Sequence, residues 1–270
     1  MSRQAVKFAL FFQYYLLPVF CLICAYDHFS AIRLEWTLQR IAPEIAAVRI
    51  GDWLGQFELF AQRGHMFVFN LLLGVCLLIC GRPVVAPQRL RDVCLPVVST
   101  FLPLLYNLLT LLPEWTGQTL NPSAWDPTLD LVGISLTLVG AALAMSSILC
   151  LGRSFGILIA FRRVVTRGPY HWIRHPIYLG YTIEMLGLCT ANFTVATLAL
   201  SALAFALLHW RARLEEQRLC QVSPEYRLLM ARTGRFLPRW KSAASTASED
   251  EDDARTTPEE ADLGELAVAG

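Results

Sequence analysis

The sequence predicts an all-α protein, a polytopic bundle of about six membrane-spanning helices that ends in a tight helical hairpin. Hydrophobic residues make up 55% of the 270 residues and charged residues only 17%, whereas a soluble domain carries about a quarter charged residues. The apolar residues are gathered into long runs instead of recurring at the period of a strand or an amphipathic helix. Both features are typical of integral membrane proteins.

The first three apolar runs each predict one span. Run 8–26 is longer than the core of a signal peptide and lacks a small-residue cleavage site, so it is expected to be a retained helix. Run 66–80 is short and is expected to extend upstream into the preceding loop. Run 93–112 ends at Pro113.

The remaining runs predict a fourth span and the hairpin. The fourth run, 129–151, contains small residues that suit close helix packing. These are Gly133, Gly140, Ala141 and Ala144. The last run, 177–210, is too long for one crossing, which takes about 20 residues. A turn at Ala191-Asn192 therefore predicts a short fifth helix over 176–190 and a sixth from about 193 that projects beyond the bilayer.

The distribution of arginine predicts a cytoplasmic location for both termini of a multi-pass protein in the inner or plasma membrane. Loops 81–91 and 152–176 carry three and five Arg, and further Arg follow the sixth span, whereas 113–128 has none. Basic loops stay on the cytoplasmic side. Residues 27–65, with four Arg and five acids, are expected to lie as amphipathic helix on the outer surface.

The C-terminal tail has a composition unlike the rest. Nine of the 22 acids follow residue 248, so that 1–240 hold 13 acids against 21 Lys and Arg. Residues 241–270 have almost nothing to bury and are predicted to be disordered, without a part in catalysis. The basic body is attributed to membrane topology, and no nucleic acid is expected as a partner.

The eight cysteines predict neither a metal site nor a disulfide framework. The pairs Cys21-x-x-Cys24 and Cys76-x-x-x-Cys80 are not accompanied by a nearby His or a second pair. Most of the cysteines lie in or beside apolar runs, where cysteine packs as a small apolar residue.

The segment 162–180 gathers charge and aromatic rings at the predicted membrane edge. Gly168-Pro169 predicts a turn, and Pro176 fits the first position of a helix that His175 caps. Free N–H groups at such a helix start favour a carboxylate or phosphate. Three rings could stack a base or contact a cation. They are Tyr170, Trp172 and Tyr178.

A second cluster, 211–219, is expected beside the first because a hairpin returns its ends to one side of the membrane. Arg211 and Glu215 are four residues apart and share a helix face. Carboxylates at this depth need a cationic partner. The two clusters together suit a zwitterionic ligand that carries a base, such as S-adenosylmethionine. Taken singly, each is also explained by a topology signal or a surface ion pair.

These residues resemble the isoprenylcysteine carboxyl methyltransferase and phospholipid methyltransferase superfamily of integral membrane enzymes, over about 150–240. The resemblance is carried by Leu151-Gly152-Arg153, Gly168-Pro169-Tyr170, Arg174-His175-Pro176-Ile177-Tyr178-Leu179-Gly180, Glu215-Glu216, Tyr226 and Phe236-Leu237-Pro238. One departure is Arg162, where family members often have His. The resemblance divides the chain into transmembrane helices over 1–128, a methyltransferase core over 129–240 and the tail over 241–270.

The resemblance implies a cytosol-facing site for S-adenosylmethionine. The implied cofactor residues are Arg162, Arg163, Val164, Val165, Tyr170, Arg174, His175, Pro176, Ile177, Tyr178 and Glu215. Arg211 would orient the methyl acceptor, and Glu216 would be the base nearest to an amine acceptor. Glu184, ionisable within the fifth helix, is a further candidate for the acceptor site. The alternative for Glu184 is a pairing with a neighbouring helix.

The function expected is S-adenosylmethionine-dependent methylation of a lipid-like or prenylated acceptor in the bilayer, at a carboxyl oxygen in preference to an amine, without a metal. Two alternatives stay open. One is a membrane sterol-type reductase that uses NADPH, since that group carries a run like R-H-P-x-Y-x-G. The other is a transporter or scaffold without enzymatic activity.

Overall fold

Helices account for nearly all of the structure, a computed structural model that describes residues 1–41, 53–111, 127–191 and 193–239. The α-helices are α1 (Arg3–Phe11), α2 (Leu17–Ile41), α3 (Trp53–Ile79), α4 (Arg91–Leu111), α5 (Pro127–Leu151), α6 (Pro176–Ala191), α7 (Val195–Val222) and α8 (Pro224–Arg232). A π-helical turn, Phe12–Leu16, joins α1 to α2. Pairing of extended backbone in the described ranges is limited to isolated bridges. The prediction of an all-α fold is confirmed.

Four helical stretches in these ranges are long and apolar enough to cross a membrane. They are Arg3–Leu38, Phe60–Ile79, Thr128–Ser154 and Val195–Val222. These stretches coincide with the first, second, fourth and sixth predicted spans. α4 and α6 occupy the third and fifth places, and their assignment as spans stays a prediction. Loop 113–128, Asn192 and the tail over 241–270 lie, wholly or largely, outside the described residues.

The first two spans are longer than predicted. The first apolar run predicts a helix that ends at residue 26, yet α2 continues to Ile41, and α3 already begins at Trp53. The prediction of a separate amphipathic helix over 27–65 is wrong for the described part, because both of its ends continue membrane helices. The upstream extension of the second span is confirmed. Residues 42–52 lie outside the described residues.

The fourth span packs closely against α6 through glycines on both helices. A Cβ built on Gly140 would lie 2.4 Å from the Glu184 nitrogen, and one on Gly180 would lie 2.7 Å from the Ala144 nitrogen. Gly187 approaches the Thr137 nitrogen in the same way, at 2.5 Å. The prediction that small residues let this helix approach a neighbour is confirmed, and the contact fixes α6, which opens the hairpin.

The hairpin of α6 and α7 forms as predicted. α6 begins at Pro176, and the His175 carbonyl accepts the first helical hydrogen bond from Leu179 N (3.1 Å). Thr194 caps α7 in a reciprocal capping box with Thr197. The start of α6 and the middle of α7 therefore lie on the same side of the bundle.

The C-terminal segment after α8 crosses the start of α6. Arg174 N donates to the Gly234 carbonyl (2.9 Å) and His175 N donates to the Arg235 carbonyl (3.1 Å). The chain itself thus supplies the acceptor for the N–H of the capping residue, His175. Anion binding by the N–H groups inside the first turn of α6 stays a prediction.

Candidate functional site

A cavity of about 220 Å³ lies between α4, α5, α6 and α7. Residues 154–165, which link α5 to the turn before α6, form one wall. The lining carries five arginines, Arg162, Arg163, Arg174, Arg211 and Arg218, and two acids, Asp92 and Glu215. The cavity is therefore electropositive at neutral pH, whereas Leu73, Ile148 and Tyr181 add an apolar part to it.

Most of the residues predicted to bind a cofactor or acceptor meet in this cavity. Those that line it are Arg162, Arg163, Val164, Val165, Tyr170, Arg174, His175, Ile177, Tyr178, Arg211 and Glu215. Three predicted residues are not in its lining: Pro176, Glu184 and Glu216. Pro176 starts the helix that positions its neighbours, and the two glutamates are bound elsewhere, as described below.

The wall formed by 154–165 is held by distant parts of the chain. Gln13, fully buried in the π-helical turn, accepts a hydrogen bond from Leu158 N through Oε1 (2.9 Å). Arg162 Nε donates to the Gly81 carbonyl (3.2 Å), and Phe161 pairs with Val85. These bonds keep the backbone of the wall in place although it has no regular secondary structure over most of its length.

The turn before α6 places Tyr170 in the cavity. Gly168 has φ +60°, and a Cβ there would lie 2.5 Å from the Cys150 Sγ, so the turn requires glycine on both counts. Arg167 Nε donates to the Cys150 carbonyl (3.0 Å) and ties the turn to the end of α5. Burial raises the pKa of the Tyr170 hydroxyl well above its ordinary value, so this group is a protonated donor at neutral pH.

Glu215 is the carboxylate that faces the cavity. Its Oε1 accepts hydrogen bonds from the Tyr178 hydroxyl (2.6 Å) and from Arg211 Nε (3.0 Å). The His175 ring stacks on Tyr178 with the centroids 5.2 Å apart, and its Nδ1 lies 3.9 Å from the second carboxylate oxygen, Oε2. Because Oε2 has no closer partner among the described residues, it is available to a ligand cation.

Arg211 is buried and held by four separate contacts. Besides the bond to Glu215, its Nη1 donates to the hydroxyls of Ser99 and Thr100 (3.3 Å each), and its Nη2 donates to the Ile157 carbonyl (2.5 Å). Its guanidinium also lies over the Tyr178 ring, 5.1 Å from the centroid. The partners come from α4, α6 and the cavity wall, so this side chain joins the separate parts of the site.

Glu216, the residue next to Glu215, points away from the cavity. It is 3% exposed and accepts hydrogen bonds from Arg174 Nε (2.8 Å) and Arg235 Nε (3.0 Å). The bonds to Glu216 raise the pKa of Arg235. His175 Nε2 lies 3.4 Å from Glu216 Oε1, although no hydrogen bond forms there. Both oxygens are thus committed to cations of the chain.

Glu184 pairs with a neighbouring helix. Its Oε1 lies 3.3 Å from His65 Nε2, and both side chains are buried. His65 belongs to α3 and Glu184 to α6, so the pair links these two helices within the bundle. This arrangement matches the alternative interpretation of Glu184, and it leaves the residue outside the cavity that holds the other predicted side chains.

Several lining residues were not predicted from the sequence. They are Gln88, Asp92, Thr100, Arg218 and Leu229. Two signals were present: Ser99-Thr100 is a polar pair inside an apolar run, and Asp92 is an acid at the start of the same run. Neither belongs to a recognisable motif, and only the packing of α4 against α7 brings them to Arg211 and Arg218.

All eight cysteines are free. In the ranges that the structure describes, no group of three or more His, Cys, Asp or Glu side chains is arranged to hold a metal ion.

The fold and the cavity define a class: a helical membrane protein with a basic, partly apolar cavity at the start of its C-terminal hairpin. Residues 129–222 match the family described as phospholipid methyltransferase. The match begins near the start of α5 and ends with α7, so it covers the close helix contact, the hairpin and the predicted cofactor residues.

Three curated proteins are similar to parts of the chain. The cobalt-zinc-cadmium resistance protein CzcN of Cupriavidus metallidurans is 36% identical over 53% of this chain and 61% of its own length. The protein-S-isoprenylcysteine O-methyltransferase B of Arabidopsis thaliana is 36% identical over 29% of this chain and 41% of its own length. The nickel-cobalt-cadmium resistance protein NccN of Alcaligenes xylosoxydans xylosoxydans is 32% identical over 43% of this chain and 55% of its own length.

A solved structure is also similar in outline. It is that of the eukaryotic intramembrane Ras methyltransferase, an isoprenylcysteine carboxyl methyltransferase, with 18% identity, a TM-score of 0.39 and coverage of 88% of this chain and 98% of that one. The chain spans less than two thirds of the length of each curated relative. Residues 129–222 are therefore similar to the superfamily of isoprenylcysteine carboxyl methyltransferases and phospholipid methyltransferases.

Proposed function

We propose that the protein is an S-adenosylmethionine-dependent methyltransferase that methylates a carboxylate of an amphiphilic acceptor in the membrane. The observation that carries the proposal is the Arg211–Glu215 pair, a cation and an anion held side by side in one cavity that also has an apolar part. When bound, S-adenosylmethionine supplies an activated methyl group: the acceptor oxygen bonds to the methyl carbon, and the electron pair of the broken carbon–sulfur bond stays on sulfur.

The donor and acceptor groups of the cavity fit that cofactor. Glu215 Oε2 is available for the ammonium group. Tyr226 Oη and Arg162 Nη2 are buried and without a hydrogen-bond partner in the described part of the chain, and both residues line the cavity. Burial raises the pKa of Tyr226, so its hydroxyl is a donor. Buried polar groups normally have partners, and the hydroxyl and carboxylate oxygens of the cofactor would supply them.

The acceptor would enter on the Arg211 side. Leu73, Ile148 and Tyr181 are among the apolar residues that line the cavity, and they would contact the hydrocarbon part of the acceptor. A carboxylate acceptor needs no base because it is already an anion. An amine acceptor would need one, and Glu216, the base suggested by the sequence, points away from the cavity. The site therefore favours a carboxyl oxygen over an amine.

The chain's own residues would act by positioning. Arg211 has fixed partners on three sides, so it would hold the acceptor without reorganising, and burial of the site would keep water away from the reacting atoms. In this proposal the helices within 1–128 contribute Leu73 and α4 to the acceptor side, and 129–240 hold the cofactor. The isoprenylcysteine O-methyltransferase among the relatives supports an acceptor of this chemical kind.

The first experiment measures cofactor binding. Protein purified in detergent is titrated with S-adenosylmethionine and, separately, with NADPH, using the wild type and the Glu215→Ala and His175→Ala variants. We expect binding of S-adenosylmethionine alone, weakened at least tenfold, or about 1.4 kcal/mol, in each variant. Binding of NADPH alone would identify a reductase instead, and unchanged affinity in both variants would place the cofactor elsewhere.

The second experiment identifies the acceptor. Membranes that contain the protein are incubated with methyl-labelled S-adenosylmethionine, and the labelled lipid or protein is isolated. A label released by mild base is an ester and supports the proposal. A base-stable label on an amine would show N-methylation and contradict the preference for a carboxylate.

A further inference from the structure

We propose that Thr100, on α4, is an acceptor-positioning residue that holds a carboxylate together with Arg211. This inference rests on the function proposed above and assigns a residue outside the matched range 129–222. It places part of the acceptor site on the N-terminal helices.

The hydrogen bonds of Arg211 leave it little to offer a ligand. A guanidinium has five N–H donors. Nε–H is bound to Glu215, both hydrogens of Nη1 are directed to Ser99 and Thr100, and one hydrogen of Nη2 is bound to the Ile157 carbonyl. One Nη2 hydrogen has no acceptor among the described residues. Arg211 alone therefore cannot grip both oxygens of a carboxylate.

Thr100 supplies the missing donor. It lines the cavity, and its Oγ1 accepts from Arg211 Nη1 at 3.3 Å. The O–H of the same group has no acceptor in the described ranges, so it can donate to a ligand. Ser99 differs, since its hydroxyl donates to the Pro96 carbonyl (3.1 Å) and the residue does not line the cavity. Of the neighbouring pair, only Thr100 combines a free donor with access.

The order of charges along α7 sets the direction of the carboxylate. Arg211 and Glu215 are four residues apart on α7, about 6 Å along the axis. A carboxylate is attracted to the Arg211 end, beside Thr100, and repelled from the Glu215 end, where the ammonium of the cofactor would be. Two molecules carry a carboxylate in this reaction, the acceptor and the cofactor itself. The arrangement favours the acceptor, and the experiment separates the two.

The test compares Thr100→Val, which keeps the shape and removes the hydroxyl, with Thr100→Ser, which keeps the hydroxyl. Thr190→Val is the matched control, because Thr190 donates only to the Leu186 carbonyl of its own helix (2.8 Å). Two binding constants are measured in nanodiscs without turnover. One is for S-adenosylmethionine; the other is for N-acetyl-S-farnesyl-L-cysteine in the presence of S-adenosylhomocysteine, compared with its neutral carboxamide.

We expect Thr100→Val to weaken binding of the farnesylcysteine carboxylate about tenfold, the typical effect of removing a hydrogen bond to a charged group. Binding of the carboxamide and of S-adenosylmethionine should stay within about twofold of wild type, and Thr100→Ser and Thr190→Val should resemble wild type in every assay. Loss of S-adenosylmethionine affinity in Thr100→Val would assign the carboxylate to the cofactor and overturn the proposal. Equal affinity of the wild type for the farnesylcysteine carboxylate and for its carboxamide would also overturn the proposal. If the wild type binds no S-adenosylmethionine, it is the proposed function that fails.

Discussion

At the scale of single residues, two adjacent glutamates have different surroundings. Residues i and i+1 of a helix point about 100° apart, so Glu215 faces the cavity while Glu216 faces the C-terminal segment. One carboxylate oxygen of Glu215 accepts hydrogen bonds from Tyr178 and Arg211. The carboxylate of Glu216 accepts hydrogen bonds from Arg174 and Arg235. We therefore assign ligand binding to the first carboxylate and structural positioning to the second.

This assignment predicts that alanine at Glu216 mainly lowers the stability of the protein, whereas alanine at Glu215 mainly lowers its affinity for the cofactor. Glu216→Ala leaves Arg174 buried without its anion, which costs about 3–5 kcal/mol, and we expect a large fall in the thermal unfolding temperature in detergent. Glu215→Ala is expected to lower the affinity for S-adenosylmethionine at least tenfold with a smaller change in stability, since that carboxylate is 21% exposed and pairs with one arginine, Arg211, whereas Glu216 pairs with two.

Glu216→Gln and Arg235→Ala complete the comparison. Glutamine keeps some hydrogen bonds to Arg174 and should be less destabilising than alanine, and loss of the more exposed Arg235 should be milder still. A Glu216→Ala protein that unfolds like wild type yet fails to transfer methyl groups would contradict the structural role and restore Glu216 as a candidate base.

The sequence predicted which residues gather at the site far better than it predicted what each one does. Motif residues before α6 and in α7 meet because the two helices return the chain to the same side of the bundle. The lengths of the apolar runs and the turn at Ala191-Asn192 predict this hairpin from the sequence. The roles of the side chains depend on contacts between residues more than 100 positions apart in the chain, such as the hydrogen bond between Arg211 and Thr100 and the pair of Glu184 with His65. No local sequence pattern encodes such contacts or the direction in which a side chain points.

At the scale of helices, the α5–α6 contact determines where the hairpin starts. Gly140 and Gly180 bring the two backbones together so closely that neither position has room for a methyl group. α6 carries His175 at its cap and Tyr178 in its first turn, and these residues stack on each other beside Glu215. Separation of α5 from α6 would therefore move part of the proposed cofactor site.

The close contact between α5 and α6 predicts that a substitution by alanine changes the stability of the protein differently at Gly140 and at Gly64. Gly140→Ala introduces a Cβ 2.4 Å from the Glu184 nitrogen, and overpacking of this kind costs about 1–3 kcal/mol. Gly64→Ala, on α3, meets nothing within 4 Å and should be neutral or stabilising by up to about 1 kcal/mol. Thermal unfolding of the two variants in the same detergent measures the difference, and equal stabilities would show that α5 and α6 are not in close contact in the membrane.

The N-terminal helices also reach the site, and the sequence did not indicate how. Gln13 lies within the first apolar run of the sequence, yet its side chain is fully buried and accepts a hydrogen bond from Leu158 N, 145 residues away. The π-helical turn at Phe12–Leu16 holds this polar side chain inside the bundle. Such turns have no reliable sequence signature, since they depend on tertiary packing.

At the scale of the whole molecule, the apolar runs predicted the class and the position of the helices, because each span must satisfy its own backbone and bury its side chains in lipid. Their ends were predicted less well. α2 and α3 run past the limits of hydrophobicity, since a helix ends where capping or tertiary contacts stop it and not where it leaves the bilayer. Polar residues continue both helices without interruption.

The orientation of the molecule is the remaining prediction, and the proposed function depends on it. The basic segments 81–91, 152–176 and 211–218 should face the cytoplasm, and the cavity lies among these segments, through Gln88, residues 154–165 and Arg218. A cofactor made in the cytoplasm can reach the cavity only in this orientation. In a bacterial host, green fluorescent protein fused to the C-terminus should be fluorescent, and alkaline phosphatase fused at the same place should be inactive. Fused after residue 111, alkaline phosphatase should be active and green fluorescent protein should not be fluorescent. Active phosphatase at the C-terminus would place the cavity on the opposite side, away from cytoplasmic S-adenosylmethionine, and would contradict both the orientation and the proposed cofactor.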